Sequence, residues 1–309
     1  MKKIYVILGA LLFSVLFLTG CASEKEMPNT LTVGILPDTD SLPFVIAQER
    51  GYFSEEGLAV DLQMYHSAME RDSALQSGNV DFVISDILAA AFAKAGGFDV
   101  KIVAATDGAY RLVTNADFQA SNVQDLAGMD VAVSKNTIIE YVTDQILAKE
   151  AMTTDSINKV IIPQIPARLE MLQKGKLTAA TLPEPMASVA VSSGCHVLTD
   201  SEALGINPGI MMAKGEVLAE KKDAILALYR AYNKATAYLK EAPREEYIAL
   251  AIEKCGFPPS SAKYINMPLY HEARLPEAED IEGCLRWLMD RGLITETFSY
   301  DDMVADVLK

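Results

Sequence analysis

From residue 31 onward, short apolar runs alternate with stretches whose apolar positions recur every three or four residues, as strands alternating with helices do. Residues 31–36 read as a strand and 41–51 as a helix with Pro43 in its first turn. Residues 58–65 read as a strand, 68–76 as a helix, and 80–85 as a near-continuous apolar strand of the kind buried on both faces. A helix over 87–94 ends at Gly96-Gly97, and 100–105 gives a fourth strand. The rhythm then restarts, with strands at 129–134, 159–163, 177–182 and 196–199 and helices at 137–151, 167–174 and 185–193. Such repetition predicts parallel sheets joined by right-handed crossovers. After an apolar stretch at 209–213 the pattern turns helical. Leu218, Ile225, Leu228, Tyr232, Ala235 and Leu239 form one apolar stripe, and further helices are expected near 244–254, 279–291 and 300–308.

The two halves echo one another. Leu75-Gln76-Ser77-Gly78-Asn79-Val80 and Leu172-Gln173-Lys174-Gly175-Lys176-Leu177 each pass from a helix end, through a glycine in the C-cap position, into a strand. About 280 residues is long for one core, and the echo fits two facing lobes.

Ahead of this body, Lys2 and Lys3 precede the apolar run 4–19, and small residues flank Cys21. That is the layout of an export signal over residues 1–20, and the run is short for a membrane span of ~20 residues. Leu18-Thr19-Gly20-Cys21 looks like the lipobox of bacterial lipoproteins, which implies cleavage before Cys21 and acylation there. The polar, proline-broken 21–30 is expected to be a tether. The whole chain carries a net charge of −15, and loss of residues 1–20 takes two lysines and no acids, leaving −17. That balance argues against nucleic acid as a partner. Cys195, Cys255 and Cys284 are too few and too widely spaced for a disulfide framework and read as buried thiols. The three histidines form no ligand pair at helical spacing, and a zinc site using Cys195-His196 is the weaker reading. No cofactor or metal is expected.

Gly34-Ile35-Leu36-Pro37-Asp38, Pro43-Phe44, Gly51-Tyr52-Phe53-Ser54-Glu55-Glu56-Gly57-Leu58, Leu75-Gln76-Ser77-Gly78 before Val80-Asp81, and Leu182-Pro183-Glu184-Pro185 together carry a resemblance. The chain resembles the periplasmic binding-protein family of nitrate, sulfonate and thiamine-pyrimidine receptors. The resemblance implies an α/β clamshell of type II, two Rossmann-like lobes with mixed sheets and C-terminal helices on lobe one. Lobe one would hold 31–110 plus 210–309 and lobe two 111–209, with crossings near Ala109-Tyr110-Arg111 and Asn207-Pro208-Gly209. It also implies a small-molecule ligand, an ABC permease with its ATPase as partners, an extracytoplasmic place on the membrane, and a monomer.

In open parallel sheets ligands bind beyond the C-terminal strand ends and at helix N-termini. The first strand offers Asp38, Asp40 and Ser41, with Phe44 beyond, and the second offers Arg71, near a possible Ser67-x-x-Glu70 capping box. The third offers Ser85 and Asp86, where a carboxylate after a buried strand needs a partner or ligand. Thr106 and Asp107 follow the fourth. Lobe two offers Lys135, Asn136 and Thr137, the last opening a Thr137-x-x-Glu140 capping box, and then Glu184 between two prolines. Phe44, Tyr110 and Tyr141 are candidates to stack on a flat ligand, with core packing the plain alternative. Asp38, Asp40, Asp86, Asp107 and Glu184 outnumber Arg71, Arg111 and Lys135. A nitrate or sulfonate pocket needs convergent donors, so the expected ligand brings donors of its own, as an aminopyrimidine does. The alternatives are an anion receptor of the same fold, a pyrimidine-synthesis-type enzyme, and a sensor serving a membrane receptor. No GxSxG, HExxH, GxxxxGK[ST] or GxGxxG stands in the sequence, which disfavours the enzyme.

Overall fold

A computed structural model describes residues 29–307. The signal segment, Cys21 and most of the tether lie outside the described residues, whereas Asn29 and Thr30, expected in the tether, open the first strand. Along the chain come β1 (Asn29–Ile35), α1 (Leu42–Glu49), α2 (Tyr52–Glu55), β2 (Leu58–Met64), α3 (Ala68–Gln76), β3 (Phe82–Asp86), α4 (Ile87–Ala95), β4 (Val100–Ala105) and β5 (Tyr110–Thr114). Then follow β6 (Asp130–Val133), α5 (Ile138–Lys149), β7 (Asn158–Ile161), α6 (Ile165–Gln173), β8 (Ala179–Pro183), α7 (Met186–Ser192), β9 (His196–Asp200), α8 (Ser201–Leu204) and β10 (Gly209–Lys214). The last third holds α9 (Gly215–Glu220), α10 (Lys222–Glu241), α11 (Arg244–Lys254), α12 (Ala278–Asp290) and α13 (Tyr300–Met303).

The strands build two five-stranded sheets, ordered β2-β1-β3-β10-β4 and β7-β6-β8-β5-β9. β1 pairs in parallel with β2 and β3, and β6 with β7 and β8. Neither sheet is wholly parallel, which corrects the expectation drawn from the strand–helix rhythm. β10 lies antiparallel between β3 and β4, and β5 antiparallel between β8 and β9. Each comes from the other half of the chain: β5 follows β4 of the first sheet, and β10 follows β9 of the second. The chain thus crosses between sheets at 106–109 and again at 201–208. The second crossing passes so close to the first that a Cβ on Gly209 would lie 2.6 Å from Thr106 Oγ1.

The long stripe expected from Leu218 breaks at Lys221, which separates α9 from α10. α10 keeps its amphipathic face, burying Ile225, Leu228, Tyr229 and Tyr232 against the first sheet and α1. There Phe44 meets Tyr232 with ring centroids 5.2 Å apart, and the Tyr229 hydroxyl donates to the Val103 carbonyl at 2.6 Å. The helix expected over 300–308 stops at Met303, because Val304 turns to bridge Ile102 of β4.

α12 joins the two halves. It packs on α4 of the first half, and its Ile281, Leu285 and Leu288 share one core with Val142 and Ile146 of α5 in the second. Trp287 stands edge-on to Tyr141 and donates from Nε1 to Asp144 Oδ2 at 3.0 Å. Arg291 pairs with Glu140 and Asp144 at 2.9 Å each, and Lys159 with the same two acids at 2.8 and 2.6 Å. Among the described residues no helix is long and apolar enough to cross a membrane.

Candidate ligand-binding cavity

Where the C-terminal ends of β1 and β3 face the starts of α5 and α6, a part-open cavity of about 40 Å³ lies between the two halves. Leu36, Asp38, Asp40, Arg71, Ser85 and Asp86 wall it from the first half. Ser134, Thr137, Ile138, Ile165, Arg168 and Pro183 wall it from the second, with Tyr110 at the crossing.

The loop after β1 folds on itself around its acids. Asp38 Oδ1 accepts from the Ser41 amide at 3.1 Å and the Ser41 hydroxyl at 2.8 Å, which leaves Oδ2 for the cavity that the residue lines. Burial, reinforced by Asp40, pushes the Asp38 carboxyl up to about 8, against the bonds from Ser41 and the charge of Arg71. Asp40 Oδ2 accepts from the Tyr110 hydroxyl at 2.9 Å. Burial raises Asp40 to about 6, with the Thr106 and Tyr110 hydroxyls opposing. Asp86 ends β3 in extended backbone and caps α4 by accepting from the Ala89 amide at 2.9 Å. It too is raised to about 6 by burial, opposed first by Arg71.

Arg71 is buried with partners close by. Its Nη2 donates to Ser85 Oγ at 2.7 Å, and it pairs with Asp72 at 2.7 Å and Asp86 at 4.0 Å. Arg168, in the first turn of α6, is built differently. Its Nε donates to the Thr181 carbonyl at 3.0 Å and its Nη1 to those of Ile162 and Pro163 at 2.8 and 3.4 Å, while Nη2 has no partner. Three carbonyls therefore fix the guanidinium plane, and burial with no paired carboxylate draws its pKa down to about 10.

The structure gathers Asp38, Asp40, Arg71, Ser85, Asp86 and Thr137 of the expected residues onto the cavity wall. Thr137 accepts from the Ile139 amide and donates to the Ser134 carbonyl. Its expected box does not close, since Glu140 instead accepts from the Asn136 amide at 2.7 Å. Other expected residues stand elsewhere. Ser41 and Thr106 lie behind the two aspartates, and Phe44 and Tyr141 are spent on packing against Tyr232 and Trp287. Lys135 and Asn136 edge an outer groove beside Met69 and Ile161. Glu184 is fully buried next to the cavity, held by Arg111 at 3.0 Å and the Ser188 amide at 3.2 Å. Its carbonyl accepts from the Thr39 amide at 3.1 Å, tying the end of β8 to the loop after β1. Asp107 holds His271 and Arg274 at the crossing. Arg168 escaped the sequence reading, although it follows the C-terminal end of β7 as the strand-end rule would have it.

Residues 38–246, more than half of the chain, match the sequence model of the NMT1/THI5-like family. The chain belongs to that family. Its fold is shared with the periplasmic aliphatic sulphonate binding protein SsuA from Escherichia coli, at 18% identity over 90% of this chain and 92% of that one, with a TM-score of 0.76. The periplasmic nitrate-binding protein NrtA from Synechocystis PCC 6803 superposes at a TM-score of 0.74, with 15% identity over 89% and 84% of the two chains. So does the ligand-binding component of an ABC-type import system from Staphylococcus aureus, solved with zinc bound, at 0.74 and 15% identity over 91% and 97%. No curated protein is significantly similar in sequence. In this NMT1/THI5-like chain no group of three histidines, cysteines or acids is placed to hold a metal ion among the described residues.

Proposed function

We propose that this protein is an extracytoplasmic solute receptor that captures a small polar molecule and hands it to an ABC importer. The observation that carries this reading is a part-open cavity with charged walls drawn from both halves, at the strand ends, beside the two crossings of the chain. Residues 31–110 with 210–309 act as lobe one and 111–209 as lobe two, parting and closing about 106–109 and 201–208. The closed shape is what the permease and its ATPase recognise. The export-signal layout supports release to the outer face of the membrane, with Cys21 as the lipid anchor and a single chain as the working unit.

An engineered apolar cavity of roughly 150 Å³ holds one benzene ring, so a nitrogen heterocycle enters this cavity of about 40 Å³ only with the lobes apart. Neither histidine nor cysteine lines the cavity, which offers no thiol or imidazole for covalent or general-base catalysis. The raised aspartates are a feature an enzyme would use. Native mass spectrometry of the gently purified protein, followed by thermal-shift screening of small polar molecules, tests the reading. A bound or stabilising molecule that is recovered unchanged is the expected result. Conversion of that molecule into a product overturns it.

A further inference from the structure

By its place in the chain α12 belongs to lobe one, and by its bonds it belongs to lobe two. It starts at the second crossing, where Asp280 Oδ1 accepts from the Asn207 amide at 3.0 Å, and runs out between α4 of the first half and α5 of the second. Its two flanks differ in kind. Toward α5 the contacts are directional: Trp287 Nε1 donates to Asp144 at 3.0 Å, and Arg291 pairs with both Glu140 and Asp144 at 2.9 Å. The side chains of both acids are almost wholly buried. The fit is also close, since a Cβ on Gly283 would lie 3.1 Å from the Tyr141 hydroxyl. Toward α4 no hydrogen bond or ion pair joins the two helices among the described residues. There Ile281, Leu285 and Leu288 share a core with Ile87, Leu88 and Ala91, and five of the nine residues of α4 are alanine.

These flanks respond differently to motion. A hydrogen bond weakens steeply when stretched or bent, and taking one partner from a buried ion pair is strongly destabilising. Apolar contact has no preferred direction, and a face rich in alanine has no deep grooves to hold a neighbour's side chains in register. Resting on the two-lobe closing reading above, we infer that α12 moves as part of lobe two: as the lobes part, it pivots at the crossing, slides over α4 and keeps its hold on α5. The moving body is then 111–209 together with 278–291. The slide is taken up by 275–277 and by 292–299, which hold no helix or strand and open on Gly292 at a φ of 63°. A core that slides and does not split lets the lobes part without opening it to water.

The test measures distances between spin labels on pairs of exposed positions, in a Cys21→Ser background whose other three cysteines are buried. Gln76→Cys with Lys174→Cys reports the separation of the lobes. Glu282→Cys on α12 is paired with Ala95→Cys at the end of α4, and separately with Ala148→Cys on α5. Ala68→Phe combined with Gln164→Ala drives the lobes apart, since Ala68 lines a cavity of about 40 Å³ that cannot take a ring. The lobe pair is expected to lengthen and the α4–α12 pair to shift by about 1–2 Å or more, while the α5–α12 pair keeps its distance. Adding Arg291→Met should let the α5–α12 distance spread in the opened form, and the melting point of each variant reports its folding. An α12 that stays on α4 and draws away from α5 overturns this inference and leaves the receptor standing. An α5–α12 distance indifferent to Arg291→Met overturns it as well, because the charged cluster would not be what holds the helix. A lobe pair that does not lengthen strikes the closing reading itself, and this inference with it.

Discussion

At the scale of single residues, the cavity is a place where burial and charge are set against each other. Asp38 is raised to about 8 from an ordinary aspartate value of 3.8, and burial is the largest cause. A carboxyl whose folded pKa is raised contributes stability that is fully present below the unfolded value and lost as pH climbs through the folded one. The window here runs from about 4 to about 8. Asp38→Asn keeps an oxygen for Ser41 and removes the titration, so the variant should gain stability relative to the parent as pH is raised from 5 to 9. Parallel urea melts across that range measure the difference, and a gap independent of pH would contradict the burial argument. Arg168 shows why residue-scale function was only half legible. Its position after a strand end is written in the sequence, but the absence of a carboxylate beside it is a tertiary fact.

At the scale of elements, helices and parallel strands are legible in the sequence with near-final bounds, as α3, β2 and α11 illustrate, because their faces repeat with the period of the element that bears them. β5 has no counterpart in the sequence pattern, where Ala109-Tyr110-Arg111 is expected only as a crossing, since its partners β8 and β9 lie 65 or more residues onward and no local pattern names them. The aromatic at position 44 carried an apolar signal that fits a ligand face and a core equally well. The structure assigns it to the contact between α1 and α10, fully buried against Tyr232. Phe44→Ala is therefore expected to lower stability by about 3–5 kcal/mol, the range for emptying a buried aromatic site. Equilibrium denaturation measures the loss, and a cost below about 1 kcal/mol would mean that α1 does not depend on this contact.

At the scale of the whole molecule, the two halves are joined in three ways: by the paired crossings, by α12, and by bonds around the cavity rim. At that rim Gln164, just ahead of α6, donates to Glu70 on α3 at 2.8 Å; a further bond between the halves runs from the Ser188 hydroxyl of α7 to the Tyr264 carbonyl at 2.9 Å. Gln164 and Glu70 do not line the cavity, yet their bond links its two walls. On the receptor reading proposed above, a captured molecule would leave when the rim parts, so its dwell time would follow contacts that it never makes. Gln164→Ala should shorten that dwell time in stopped-flow displacement without altering which molecules are accepted. Selectivity and release would then be set by separate residues, and the time allowed for docking on the membrane could change while the choice of cargo stayed the same.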